Sequence, residues 1–347
     1  MTDAAWPDAA SPDAIWRNWH DAAERLVARF DGLYRLERFD YRQPVRLQQA
    51  APRRLRRPYT VPVAYTDWGP ADAPLLLACG GVANAAMRFA FLAADLQRDG
   101  FRVVCMDWLG RGLSGWLADD HEYTSETYLE QLRQMIGHLG GRPVALLGSS
   151  MGGTLAIELA ARHPELVSKL ILNDVGPHIP RARRLRRSQT LARWYVFRTP
   201  QDIERRVGAA QKNDGPVADD VRRFISFQQT RWSTEEAGRV YRHDPRALLA
   251  YRRDAQHALR QWAAWGQLKC PVLLLHGLES DALLPATVER MWRSRPITLA
   301  HIPDTGHTPV LCDRHQTLAV RDWLRGELPA PLALSIPHAW RRDPRVG

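Results

Sequence analysis

Between residues 15 and 30 apolar positions recur at helical spacing. Ile15, Trp16, Trp19, Ala22, Ala23, Leu26, Val27 and Phe30 fall on one stripe, and Arg17, Asn18, Asp21, Glu24 and Arg25 fill the other side. Ser11 as N-cap and Pro12 at the first helical position mark the start of such a helix. It lies in an N-terminal extension, residues 1–60, and its stripe is expected to pack on the chain's own core. A partner protein, a second copy of the chain or a lipid surface are the other takers for such a stripe.

From about residue 60 the pattern changes. Strand-like apolar runs at 61–65, 74–78, 101–107, 143–147 and 169–173 alternate with helical segments at 87–97, 125–139 and 154–163. The alternation stops after Gly176; residues 177–265 are rich in Arg and Trp and carry no buried-strand pattern. It resumes with strands at 271–276 and 297–302 and helices at 286–292 and 315–324. This pattern predicts an α/β fold: a mostly parallel sheet flanked by helices, with an all-helical lid inserted between two strands. The expected parts are the extension 1–60, a first core segment 61–176, the lid 177–265, a second core segment 266–330 and a loosely held tail 331–347.

Composition narrows the function classes. With 347 residues, 45% of them hydrophobic, the chain can bury a full core. Its formal charge of +10 is carried by arginines scattered along the chain, the only lysines being Lys169, Lys212 and Lys269. That scatter does not form a phosphate-binding stripe, so no nucleic-acid partner is expected. Cys79, Cys105, Cys270 and Cys312 lie far apart, as free thiols of a reducing compartment do, and no ligand spacing calls for a metal. The acidic N-terminus lacks a basic-then-apolar leader, and no apolar run approaches the about 20 residues of a membrane span. A soluble cytoplasmic protein without stable membrane insertion is the expectation.

The chemistry comes from a short stretch. Gly148-Ser149-Ser150-Met151-Gly152-Gly153 stands between the apolar run at 143–147 and the helix at 154–163, and Gly148, Ser150 and Gly152 spell G-x-S-x-G. Small residues let the chain turn hard there and lift the Ser150 hydroxyl above the strand end. A serine hydroxyl needs a base within reach, and the base needs an orienting acceptor. In open α/β sheets such groups collect beyond the carboxyl ends of strands. His307, in IPDTGHTP after the strand at 297–302, is the base by position. Two aspartates compete for the third role: Asp281 follows the strand at 271–276, and Asp174 follows the strand at 169–173. The order Ser, Asp, His with a late acid selects Asp281, with Asp174 tethering a loop at the lid entrance. The oxyanion requires two backbone N–H groups: Met151, directly after the nucleophile, and Gly81 in the loop CGGVAN, with Val82 as the alternative.

GSSMGG (148–153), DWLGRGLSGW (107–116), LILNDVGP (170–177), HGLESDALLP (276–285) and DTGHTP (304–309), in that order, resemble the α/β-hydrolase superfamily over roughly residues 60–330. The resemblance implies a cofactor-free hydrolase acting on a small-molecule ester or thioester through a Ser-His-Asp triad and an acyl-enzyme. Carbon–carbon bond hydrolysis, acyl transfer or non-catalytic ligand binding on the same fold are the alternatives. Epoxide hydrolases and haloalkane dehalogenases of this superfamily use an aspartate where this chain has Ser150. Many members carry His-Gly where this chain has Cys79-Gly80. The lid adds seven arginines between residues 177 and 201 and no acid in 177–200. Most should face water, but one turned inward could hold a substrate carboxylate.

Overall fold

The computed structural model describes residues 14–48, 52–191, 193–211 and 214–338; Ser11 and Pro12 lie outside these. Nine strands form one sheet: β1 (Tyr34–Gln43), β2 (Tyr59–Trp68), β3 (Leu75–Cys79), β4 (Arg102–Met106), β5 (Val144–Ser149), β6 (Val167–Asn173), β7 (Val272–Gly277), β8 (Thr298–Ile302) and β9 (Leu332–Ser335). Their spatial order is β1-β2-β4-β3-β5-β6-β7-β8-β9. Only the pairings of β2 with β1 and with β4 are antiparallel.

The central strands are short apolar runs because both faces are covered. Alternate residues separate into two cores. Leu77, Leu146, Leu170, Leu172 and Leu274 face the helices α3 (Ser125–His138) and α4 (Met151–Arg162). Leu76, Leu147, Ile171 and Leu275 face α2 (Ala90–Arg98) and α9 (Arg314–Arg325). Truncating one of these leucines would remove its transfer energy and leave a cavity, about 2–5 kcal/mol in all. No described helix is long and apolar enough to cross a membrane.

The insert leaves the sheet after β6 and returns at β7, its neighbour. It holds α5 (Arg181–Leu191), α6 (Pro200–Gln211), α7 (Asp219–Gln229) and α8 (Pro245–Asp254). It is not all-helical. Val196–Phe197, Gly238–Tyr241 and Thr230–Ser233 form a three-stranded antiparallel sheet, and Leu259–Arg260 pairs with His178–Ile179 where the two connecting chains meet. Strands of two to four residues closed by local turns are too short to print a period of two in the sequence.

The amphipathic helix α1 (Ala14–Val27) lies against the insert. Trp16, Trp19 and Ala23 are buried with Phe197, Ile203, Val207 and Phe227. The described part of its apolar stripe, from Trp16 to Phe30, is thus packed on the chain itself. Trp16 is only 1% exposed. Trp16→Ala is therefore expected to destabilise the fold by about 3–5 kcal/mol, read as a lower urea midpoint. Two further strands escaped the sequence pattern. In β1 only Phe39, Tyr41 and Gln43 are buried, and β9 adds an edge inside the tail.

Candidate active site

Ser150 sits between β5 and α4 with φ 50° and ψ −116°, a strained conformation for a residue with a side chain. The strain holds because nothing larger fits around it. A Cβ on Gly148 would lie 2.4 Å from the Gly153 Cα, and one on Gly152 would lie 2.3 Å from the Cys79 carbonyl oxygen. The turn projects the Ser150 hydroxyl to within 3.0 Å of His307 Nε2. His307 itself stands on the loop after β8 and is buried.

The third partner is Asp174, not Asp281. Asp174 Oδ2 lies 2.9 Å from His307 Nδ1. Its carboxylate is fully buried and accepts from the Gly277 N–H at 3.0 Å and the Ser280 hydroxyl at 2.5 Å. Asp281, with its side chain 54% exposed, pairs instead with Arg183 at 3.1 Å. Burial pushes the Asp281 carboxyl up, but the Arg183 charge and hydrogen bond outweigh that and hold it below the usual range. The physical reason for the exchange is adjacency. β6 and β7 are neighbours, so both of their loops reach the same sheet edge. Asp174 follows β6 at once and turns back with φ 51°, whereas Asp281 comes four residues after β7, where Ser280 makes the contact to Asp174 in its place.

His307 is drawn below its ordinary value of 6.5, chiefly by burial and further by the Arg183 and Arg187 charges, against the pull of Asp174. The neutral imidazole able to accept a proton therefore persists to lower pH than in a free histidine. If His307 is the base, the acid limb of kcat/KM has its midpoint below 6.5, checked by a pH–rate profile on one neutral ester.

One segment, residues 107–111, holds the loop opposite Ser150. The Trp108 indole N–H donates to the Gly80 carbonyl at 2.8 Å, and Arg111 Nε donates to the Val82 carbonyl at 2.7 Å. Asp107 accepts from the Ala86 and Leu113 N–H groups, at 2.6 and 2.8 Å, and burial raises its carboxyl to about 6. These residues of the DWLGRG stretch brace the loop where Cys79, buried and with its thiol pushed up by burial, offers no comparable side chain. Sequence reading missed Arg111 because a buried arginine looks no different there from a solvated one.

The Gly81 N–H, the expected oxyanion donor, donates to Asn84 Oδ1 at 2.9 Å. The Val82 N–H has no acceptor among the described residues, and Val82 lines the cavity with Ser150. Met151 opens α4, where first-turn N–H groups lack intrahelical partners. Among the described residues one His/Asp group brings ligand-type atoms together: Asp119, Asp120 and His121. They are paired with one another and with Arg253, and they stand outside the Ser150–His307–Asp174 chain of contacts.

Two lobes open on Ser150. One, about 480 Å³, is lined by Leu129, Met151, Leu155, Ile179, Ala247 and Ala250 among others. The second, about 320 Å³, contains His307, Thr308 and Val82 together with insert residues.

Residues 73–311 match the family described as alpha/beta hydrolase fold. The chain belongs to that family, and it is a hydrolase of that fold. It is 29% identical over 273 residues to a 3-hydroxybutyrate-oligomer hydrolase of Cupriavidus necator, covering 76% of this chain and 93% of that protein. A proline iminopeptidase of Lactobacillus helveticus is 41% identical over 104 residues, 29% of this chain and only 35% of that protein. In fold the chain resembles a putative hydrolase from Rickettsia typhi, with a TM-score of 0.76 at 20% identity, over 84% of this chain and 99% of that one.

Proposed function

We propose that this chain is a serine hydrolase that cleaves carboxylic esters through an acyl-enzyme. The observation that carries the reading is the unbroken chain of contacts from Ser150 Oγ through His307 to Asp174. Ser150 attacks the ester carbonyl while His307 Nε2 takes its proton. Asp174 accepts from Nδ1–H, fixes the tautomer and stabilises the imidazolium. The tetrahedral oxyanion rests on the Met151 N–H and on the loop amide of Val82, with Gly81 available only on release from Asn84; loss of one such donor typically costs about 3–4 kcal/mol. His307 then protonates the departing alcohol, and a water activated by the same imidazole clears the acyl group.

The ester preference draws support from the similarity to the 3-hydroxybutyrate-oligomer hydrolase, which spans nearly all of that protein. Resemblance to the iminopeptidase covers about a third of that protein and weighs less for amide cleavage. In the same reading the insert acts as a lid, since Ile179, Arg183, Ala247 and Tyr251 roof the larger lobe. A panel of p-nitrophenyl esters of rising chain length, a thioester and a prolyl amide tests the function. Turnover of esters well above the amide is expected. Amide turnover alone, or no ester turnover by a protein that still reacts with a fluorophosphonate, would overturn it in favour of another triad chemistry.

A further inference from the structure

The smaller lobe has an arginine with no hydrogen bond or ion pair to another described residue. Arg88, Arg183, Arg187 and Arg206 line it, against the single carboxylate of Asp214. Arg88 is paired with Asp214 at 3.1 Å and donates to the Thr308 carbonyl at 2.8 Å. Arg183 is paired with Asp281. Arg206 lies 3.9 Å from the Tyr195 ring centroid and donates to the Thr190 carbonyl at 3.2 Å. Arg187 alone of the four makes no hydrogen bond or ion pair to another described residue, although its charge stands close enough to His307 to depress the imidazole. Its guanidinium remains charged at any working pH; enclosure most of all, and Arg183 nearby, disfavour that charge, and Tyr251, Asp214 and Tyr241 offset only part of this. An incoming anion would relieve both burdens.

The position of the lobe says which half of the substrate carries the anion. The departing alcohol must lie beside His307, which gives it a proton. His307 and Thr308 line the lobe of Arg187, whereas the larger lobe is lined by Met151 and Leu155 of α4 and lacks His307. The larger, more apolar lobe therefore suits the acyl group.

Resting on the ester-hydrolase reading, we propose that Arg187 is a substrate-binding residue that grips a carboxylate on the alcohol half of the ester. The substrate class is then the acyl ester of a small hydroxy acid, cut so that the hydroxy acid bearing the free carboxylate leaves first. On a chain of hydroxy-acid units this is cleavage from the carboxyl end. No cofactor or co-reactant enters: water supplies OH to the acyl carbon and H to the alcohol oxygen.

The test compares 3-(butyryloxy)butanoate with its methyl ester, both read as the initial rate of butyrate release from the bond they share, the methyl ester lacking the charge. The wild-type protein is expected to favour the acid in kcat/KM, and Arg187→Gln to lower the acid-to-methyl-ester ratio by about 10- to 100-fold through KM, with Arg187→Lys restoring part of it. An unchanged ratio in Arg187→Gln would overturn the proposal. Calorimetric titration of the same two compounds into Ser150→Ala, with and without Arg187→Gln, reads the anion subsite without turnover. Selective binding of the acid that vanishes with Arg187 would support the subsite even if the ester reading failed. Equal binding of acid and methyl ester would remove the subsite even if ester turnover held.

Discussion

Ser150→Ala and His307→Ala each lower kcat on an activated ester by about 10⁴–10⁶, and the double variant loses little more. The expectation follows from interdependence. The hydroxyl becomes a useful nucleophile only as its proton leaves for Nε2, 3.0 Å away, and the imidazole has no other role in the attack. Removing either leaves only the oxyanion donors and the shape of the lobes. Those alone retain a residual acceleration over water, so activity falls to a floor and not to zero. Additive losses in the double variant would mean that the two residues act in separate steps.

Asp174→Asn is expected to lower kcat by about 10³–10⁴, while Asp281→Asn costs less than about tenfold. Asp174 has no solvent to replace it: it is fully buried, it accepts from His307 Nδ1, and its other contacts come from Gly277 and Ser280. An amide in its place can present N–H to the ring, favouring the tautomer whose Nε2 already carries a proton and cannot take the serine's. Asp281 lies outside that chain of contacts, tied to Arg183 at the cavity rim. Its loss frees one more arginine near the site without touching the base. Steady-state kinetics of the two purified variants, with melting curves to show that both are folded, separates them. A dead Asp281→Asn beside an active Asp174→Asn would reverse the assignment.

How far the sequence reaches depends on whether a feature is local. The elbow is local: tight glycines must flank Ser150 in the chain because the clash they avoid is with residues a few positions away and with the end of β3. The pattern at 148–153 therefore announces it. His307 is also legible, since a glycine-containing loop after the last core strand leaves few candidates. The acid is not. Two strands in succession end in a loop with an aspartate, and the choice between them rests on sheet adjacency and on Ser280 reaching across to Asp174. The Gly81 N–H is engaged by Asn84 three residues on, a side-chain contact that residue types alone do not announce. Among the elements, the buried central strands read clearly as apolar runs. Those missed are the two edge strands, β1 with charged residues on its outer face and β9 in the tail, and the short strands of the insert, whose pairing is set by turns.

The measurement that bears most directly on the central claim is peptide mapping of the protein after reaction with a fluorophosphonate. One adduct is expected, on Ser150, formed in step with loss of ester turnover and absent from both Ser150→Ala and His307→Ala. An adduct on another serine, or full ester turnover by Ser150→Ala, would contradict it.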